Sequence, residues 1–181
     1  VTSCTPNEGK TSVSFQLALS VAEGGKRVVL VDADLRKSVL KGRYKTNASR
    51  YGLSHYLSGQ ASIADVTCKT NIENFYVIFS GPVPPNPSEL LGNDAFRLLI
   101  VDTPPLGSVI DGAVAAQYCD GTVVVIESGA ISYKFAQKVK EQLEKVDCRI
   151  LGVILNKVNM SGKGYYGAYY GKYYGKYYGK Y

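Results

Sequence analysis

Apolar residues recur along the chain in two alternating patterns. Val28 to Val31, Leu98 to Val101, Val123 to Ile126 and Ile150 to Leu155 are short runs rich in branched residues. They lack the period-two alternation of a half-wet strand, which predicts strands covered on both faces. Between them apolar positions step by four. Val13, Leu17 and Val21 form one such row, which predicts a helix face ending at Gly24-Gly25, and Phe135, Val139 and Leu143 form another. The stretch from Arg36 to Pro87 is less regular. It predicts short helices near Leu53 to Leu57 and Ile63 to Val66, a strand at Phe75 to Phe79, a Pro-rich connector from Pro82 to Pro87, and a helix from Ser88. Strand and helix in alternation predict an α/β fold: a mostly parallel central sheet with helices on both faces.

Two places interrupt this plan. Almost no strand precedes residue 5, so the first strand is expected to be cut short at Val1. The helix from Ser88 runs through Phe96 into the strand at Leu98 with no turn residue, and residues are expected to be missing between Phe96 and Arg97. With 181 residues and 45% hydrophobic content, one domain with an appended tail is the expected organisation, 1–162 and 163–181.

The tail has a composition of its own. Tyr165, Tyr166, Tyr169, Tyr170, Tyr173, Tyr174, Tyr177, Tyr178 and Tyr181 are separated only by Gly, Ala and Lys. Repeated glycine opposes a helix, and no branched aliphatic side chain is present for the rings to pack on, so an extended or disordered, exposed segment is predicted. The formal charge is +6, of which Lys163, Lys172, Lys176 and Lys180 supply four. Basicity is thus mainly a property of the tail. It suits an acidic groove or an anionic surface, and no nucleic-acid partner is expected. The apolar runs are too short to span a bilayer. Cys4, Cys68, Cys119 and Cys148 are widely spaced, and His55 completes no zinc spacing with them, as expected in a reducing cytoplasm. His55 is read as a surface residue.

Candidate chemistry begins at Thr5-Pro6-Asn7-Glu8-Gly9-Lys10-Thr11-Ser12. A Gly-Lys-Thr between a strand and a helix aims backbone amides and a helix N-terminus at phosphate, with Lys10 reaching the β and γ groups and the Thr11 hydroxyl on magnesium. Cys4 occupies the place of the usual first glycine. Asp32 and Asp34 follow the strand Val28 to Val31, and Asp102 follows Leu98 to Val101. In a parallel sheet these strand ends border the ligand crevice. Carboxylates beside a magnesium nucleotide hold the metal or accept a hydroxyl proton. ATP and Mg2+ are the expected cofactors.

These motifs together closely resemble the cytoplasmic domain of the bacterial tyrosine kinases (BY-kinases) of capsule and exopolysaccharide synthesis, over nearly the whole chain. The likeness rests on a Walker A loop of the deviant P-loop NTPase type at Thr2 to Thr11, a Walker A′ motif at Val28 to Arg36, a Walker B strand ending Asp102-Thr103-Pro104-Pro105, and the tyrosine cluster. It implies autophosphorylation of that cluster in trans, within a homo-oligomeric ring of hexamer to octamer size. It also implies a membrane adaptor, a cognate tyrosine phosphatase, and a cytoplasmic location at the inner face of the plasma membrane. Carried over by residue, it makes Pro6, Asn7, Glu8, Gly9, Lys10, Thr11 and Ser12 the phosphate site, and Thr11, Asp34, Asp102 and Asp32 the metal site. Lys10, Asp32 and Asp34 become catalytic, with Asp32 the general base, and the nine tail tyrosines become phosphoacceptors. Asn156, after the last strand, takes the base-recognition position, and Arg36 meets phosphate or a neighbouring subunit. Two other readings compete. One is a switch ATPase of the partitioning or cell-division type, whose second lysine would fall at Thr5. The other is a nucleotide-gated scaffold with an adhesive tail.

Overall fold

The computed structural model describes residues 1–43, 50–86 and 100–159. Among these residues seven strands form the centre: β1 (Thr2–Ser3), β2 (Val28–Asp32), β3 (Thr67–Lys69), β4 (Phe75–Ile78), β5 (Ile100–Asp102), β6 (Thr122–Glu127) and β7 (Ile150–Asn156). They lie in the orders β3-β4-β2-β5 and β1-β6-β7, with every pair parallel except β3 and β4. The Thr103 amide donates to the Val1 carbonyl at 3.1 Å, and the Leu106 amide to the Ser3 carbonyl at 2.9 Å. These bonds set β1 beside the end of β5, so the two sheets continue as one.

Helices are α1 (Lys10–Glu23), α2 (Leu40–Arg43), α3 (Leu53–Leu57), α4 (Ile63–Val66), α5 (Asp111–Ala116) and α6 (Tyr133–Lys145). The pleat of β2 divides its side chains between two cores. Val28 and Leu30 pack with Ala18, Ala22, Phe75 and Val77 under α1, while Val31 meets Leu53, Leu57, Val66 and Val101 under α3 and α4. A third core gathers Cys4, Leu106, Val124, Val139 and Leu143 beneath α6. Both faces of the central strands are therefore covered, as their uninterrupted apolar runs predict.

The expected helix faces fare differently. Val139 and Leu143 of α6 are buried as predicted, and Ser132 caps that helix by accepting from the Phe135 amide at 3.3 Å. In α1 the buried row is Thr11, Ser14, Ala18 and Ala22, while Leu17 is 40% exposed. Small side chains let the helix lie close on the sheet, and closeness outranks the larger apolar residues on its flanks. α1 stops at Gly24 as predicted, where Gly25 takes the left-handed φ of 77°.

β7 departs from expectation as well. Among the described residues Leu151, Val153, Ile154 and Leu155 are exposed, and β7 is the last strand in its row, paired with β6. His55 is half-buried and structural: its Nδ1 accepts from the Gly52 amide at 3.1 Å, and its ring meets Tyr51 edge-on at 5.3 Å. All four cysteines are free thiols. No helix of the described residues is long and apolar enough to cross a membrane. The predicted helix from Ser88, the junction of Phe96 with Arg97, and the tail tyrosines lie outside the described residues.

Candidate active site

The loop between β1 and α1 is shaped by its own residues. Glu8 turns inward, fully buried, and its carboxylate accepts from the Thr5 amide at 2.7 Å and from the Glu127 amide at 3.3 Å. Asn7 and Gly9 take left-handed φ values of 65° and 92°. Only glycine fits at the second place, since a Cβ on Gly9 would fall 2.2 Å from Asn156 Nδ2. The Gly9 carbonyl then accepts from the Val13 amide at 3.0 Å, opening α1 with its free N-terminal amides around Lys10 and Thr11. Pro6 and Asn7 are exposed on the outer rim of the loop and Ser12 on the helix.

The three acidic residues arrive from neighbouring strands. Asp32 and Asp102 are register partners across β2 and β5, and the Ala33 amide donates to the Asp102 carbonyl at 2.8 Å. Each is only 1% exposed. Asp102 accepts from the Ser14 hydroxyl at 3.3 Å and from the Thr11 hydroxyl. Burial raises its carboxyl above the usual range, opposed by the Thr11 hydrogen bond and the Lys10 charge. Asp34 stands opposite the loop, where its Oδ2 lies 3.7 Å from Lys10 Nζ and its Oδ1 accepts from the Lys37 amide at 3.0 Å.

Asp32 is held from two sides. Its Oδ1 accepts from the Asp34 amide at 3.2 Å, and its Oδ2 from the hydroxyl of Ser38, an exposed residue. Burial pushes the carboxyl up to about 7; the Ser38 hydrogen bond opposes the rise and the Asp102 charge adds to it. A carboxyl that keeps or yields its proton near neutrality suits proton transfer.

The donor set fits a magnesium nucleotide. Thr11, Asp34 and Asp102 offer hard oxygen ligands beside a loop whose amides converge, and Mg2+ takes one or two carboxylates together with phosphate oxygens. Among the described residues no three of His, Cys, Asp and Glu gather as a metal-binding group.

Arg36 is committed elsewhere. Its guanidinium grips Asp111 in a bidentate pair, 2.5 Å and 3.0 Å, and Asp111 is fully buried at the start of α5. It thus ties the loop after β2 to α5 and is not free to meet phosphate in this conformation. Asn156 Nδ2 donates to the Glu8 carbonyl at 2.8 Å, which places it against the phosphate loop. Burial pushes the Cys4 thiol up to about 11, with the Glu8 charge adding to the rise, so Cys4 is a core residue with an unreactive thiol. Sequence reasoning missed Ser14, Ser38 and Asp111. Ser14 lies one turn beyond Lys10 and was within reach of a helical reading, whereas Ser38 and Asp111 meet their partners only through the fold.

A family model described as ParA, NUBPL iron-transfer P-loop NTPase, matches residues 1–168. The chain is 43% identical over 176 residues to the tyrosine-protein kinase CpsD of Streptococcus agalactiae, covering 91% of this chain and 77% of that protein. It is 36% identical over 181 residues to the tyrosine-protein kinase YwqD of Bacillus subtilis, covering 92% and 76%. Among solved structures, the kinase domain of the Escherichia coli tyrosine kinase ETK superposes with a TM-score of 0.82 at 35% identity, covering 91% of this chain and 69% of that one.

Proposed function

The chain belongs to the bacterial tyrosine-protein kinases built on the ParA-type P-loop fold, and from that premise we propose that it transfers the γ-phosphoryl group of ATP to the tyrosines of its own tail, in trans within a homo-oligomer. The observation that carries the proposal is the pairing of Asp32 with Asp102 across β2 and β5, opposite Lys10 and Thr11. That arrangement sets a proton acceptor, metal-binding oxygens and phosphate donors at one crevice.

Each residue has a distinct task. The loop amides and Lys10 hold the phosphates and offset the charge that gathers on them as the bond to the leaving ADP loosens. Thr11 and Asp102 would hold Mg2+, with Asp34 beside Lys10 as a further oxygen donor, and the ion would supply neutralisation of phosphate charge. A phenol has an ordinary pKa of about 10, so at neutral pH it needs help to lose its proton. Asp32 accepts that proton as the phenol oxygen bonds to phosphorus. Because Ser38 covers Asp32 Oδ2, the incoming phenol takes the place of the Ser38 hydroxyl or donates through it. Asn156, at the end of β7, borders the place for the base.

The tail favours phosphotransfer over the switch-ATPase reading, because nine phenols on one stretch of Gly, Ala and Lys have an evident use as acceptors. Family membership further supports an oligomeric ring, a membrane adaptor that activates the domain, and control of polymer synthesis. Each added phosphate replaces a neutral phenol with a charge of about −2, and the resulting repulsion releases the tail from the neighbouring site.

Intact-mass spectrometry after incubation with ATP and Mg2+ tests this. Stepwise gains of one phosphate on tail tyrosines, absent in Lys10→Met, are expected. ATP hydrolysis with no gain in mass, even with the adaptor segment present, would instead make the domain a switch ATPase.

A further inference from the structure

On the side of the phosphate loop away from Asp32 and Asp102, the ends of β6 and β7 close on the loop through Glu127 and Lys157, which lie outside the Walker motifs. Lys157 Nζ donates to the Asn7 carbonyl at 2.8 Å and pairs with Glu127 Oε2 at 2.7 Å. Glu127 in turn donates its amide to the buried carboxylate of Glu8, and is the register partner of Asn156 across β6 and β7. Asn156 donates to the Glu8 carbonyl, and its own carbonyl accepts from the Ser128 amide at 2.9 Å. Three chain segments thus form a closed circuit around Asn7 and Glu8.

Both ends of the contact have left-handed backbone. Asn7 has φ 65°, which asparagine adopts more readily than other side chains do, and Lys157 has φ 54°, which a lysine rarely adopts. Neighbours select these conformations. At Asn7 the neighbour is the Lys157 ammonium, which Glu127 keeps in place. Two residues later Gly9 makes the turn that presents Lys10 and the helix amides, so the direction of the Asn7 peptide bears on the whole cradle.

We propose that Lys157 is a positioning residue of the kinase: through the Asn7 carbonyl it holds the nucleotide loop in its binding shape, and it joins that loop to the end of β7, which leads into the tail. The proposal rests on the reading of the loop as the nucleotide site. It gives the end of β7 a mechanical part in the reaction that is separate from contact with the base. Occupation of the loop by phosphates and the geometry at residues 156–158 then share one joint. A loop held by phosphates fixes Asn7, and with it Lys157.

The test is titration of the parent chain, Lys157→Met, Lys157→Arg and Lys140→Met with a fluorescent ADP analogue. It is read beside the thermal midpoint without nucleotide and hydrogen exchange at residues 7–9 and 156–158. Lys140 pairs with Glu144 on the exposed side of α6 and serves as the charge-matched control. Losing a charged hydrogen bond that is partly open to solvent predicts affinity for ADP weaker by about 3- to 10-fold in Lys157→Met. Substantial recovery is expected in Lys157→Arg, with no change in Lys140→Met. ADP is expected to slow exchange at 156–158 in the parent and not in Lys157→Met. ADP affinity in Lys157→Met within twofold of the parent would overturn the proposal. So would an affinity loss that tracks a matching fall in the nucleotide-free midpoint and that Arg fails to restore. A parent chain that binds no ADP would overturn the nucleotide reading itself, and this joint with it.

Discussion

Replacing Asp32 by asparagine removes a titrating group from the crevice while keeping nearly its shape. In the folded chain the Asp32 carboxyl titrates at about 7 against 3.8 for the free side chain, chiefly because it is buried. A folded pKa above the unfolded one means that the stabilising contribution is complete below pH 3.8 and is lost as the pH rises toward 7. At 1.36 kcal/mol per unit, the full loss is roughly 4 kcal/mol, and about 2.5 kcal/mol of it falls between pH 5 and pH 8. The amide side chain of the Asp32→Asn variant has no such dependence. It also cannot accept two hydrogen bonds as the carboxylate does from Ser38 and the Asp34 amide, but that cost does not vary with pH. Denaturant unfolding of both proteins, without nucleotide and with a chelator present, isolates the effect as a difference between the two curves. The stability of Asp32→Asn minus that of the parent should rise by about 2 to 3 kcal/mol from pH 5 to pH 8, equivalent to roughly 5 to 10 °C in thermal midpoint for a domain of this size. A difference that stays flat across that range would refute the buried, proton-retaining Asp32 and the account of its tuning.

Other outcomes follow from single contacts. Gly107→Ala would drive a Cβ to 2.2 Å from the Cys4 carbonyl and 2.5 Å from the Phe135 ring, so a loss of about 2 to 4 kcal/mol in denaturant unfolding is expected, with weaker ADP binding because the strain is delivered at the loop's base. Leu143→Ala empties a fully buried site under α6 and should cost about 3 kcal/mol by the same measurement, with ADP affinity retained. Arg36→Ala leaves the buried Asp111 carboxylate without its bidentate partner. It should lower the thermal midpoint, and adding Asp111→Asn should recover most of the loss; failure of that rescue would show that the pair is not what Arg36 contributes.

The fold was legible where burial on both faces forced a composition. The runs that became β2 and β6 are branched and apolar because α1, α3, α4 and α6 cover them, and the Gly-Lys-Thr loop and the aspartates after β2 and β5 follow directly. α1 was misread because its large residues suggested one face while close approach to the sheet required Ser14, Ala18 and Ala22 on another. β7 has the composition of a central strand, and nothing within its own short run states how many neighbours it has. The site was legible in its motif residues and illegible in those that hold them. Ser38, Asp111 and Lys157 meet Asp32, Arg36 and Asn7 across 6, 75 and 150 positions of chain, and only Ser38 lies near enough in sequence for a local pattern to have hinted at it.

The register that sets Asp32 opposite Asp102 also sets Leu30 opposite Ile100 and Val31 opposite Val101. Side chains along a strand alternate between faces, so a slip of one residue would turn a carboxylate toward the wrong side and exchange the side chains of β2 between its two cores in the same movement. The crevice cannot be misassembled while the hydrophobic interior remains correct. Folding therefore inspects the chemistry on the way: a molecule stable enough to persist has already aligned its acids, and one that has not is left with two mispacked cores.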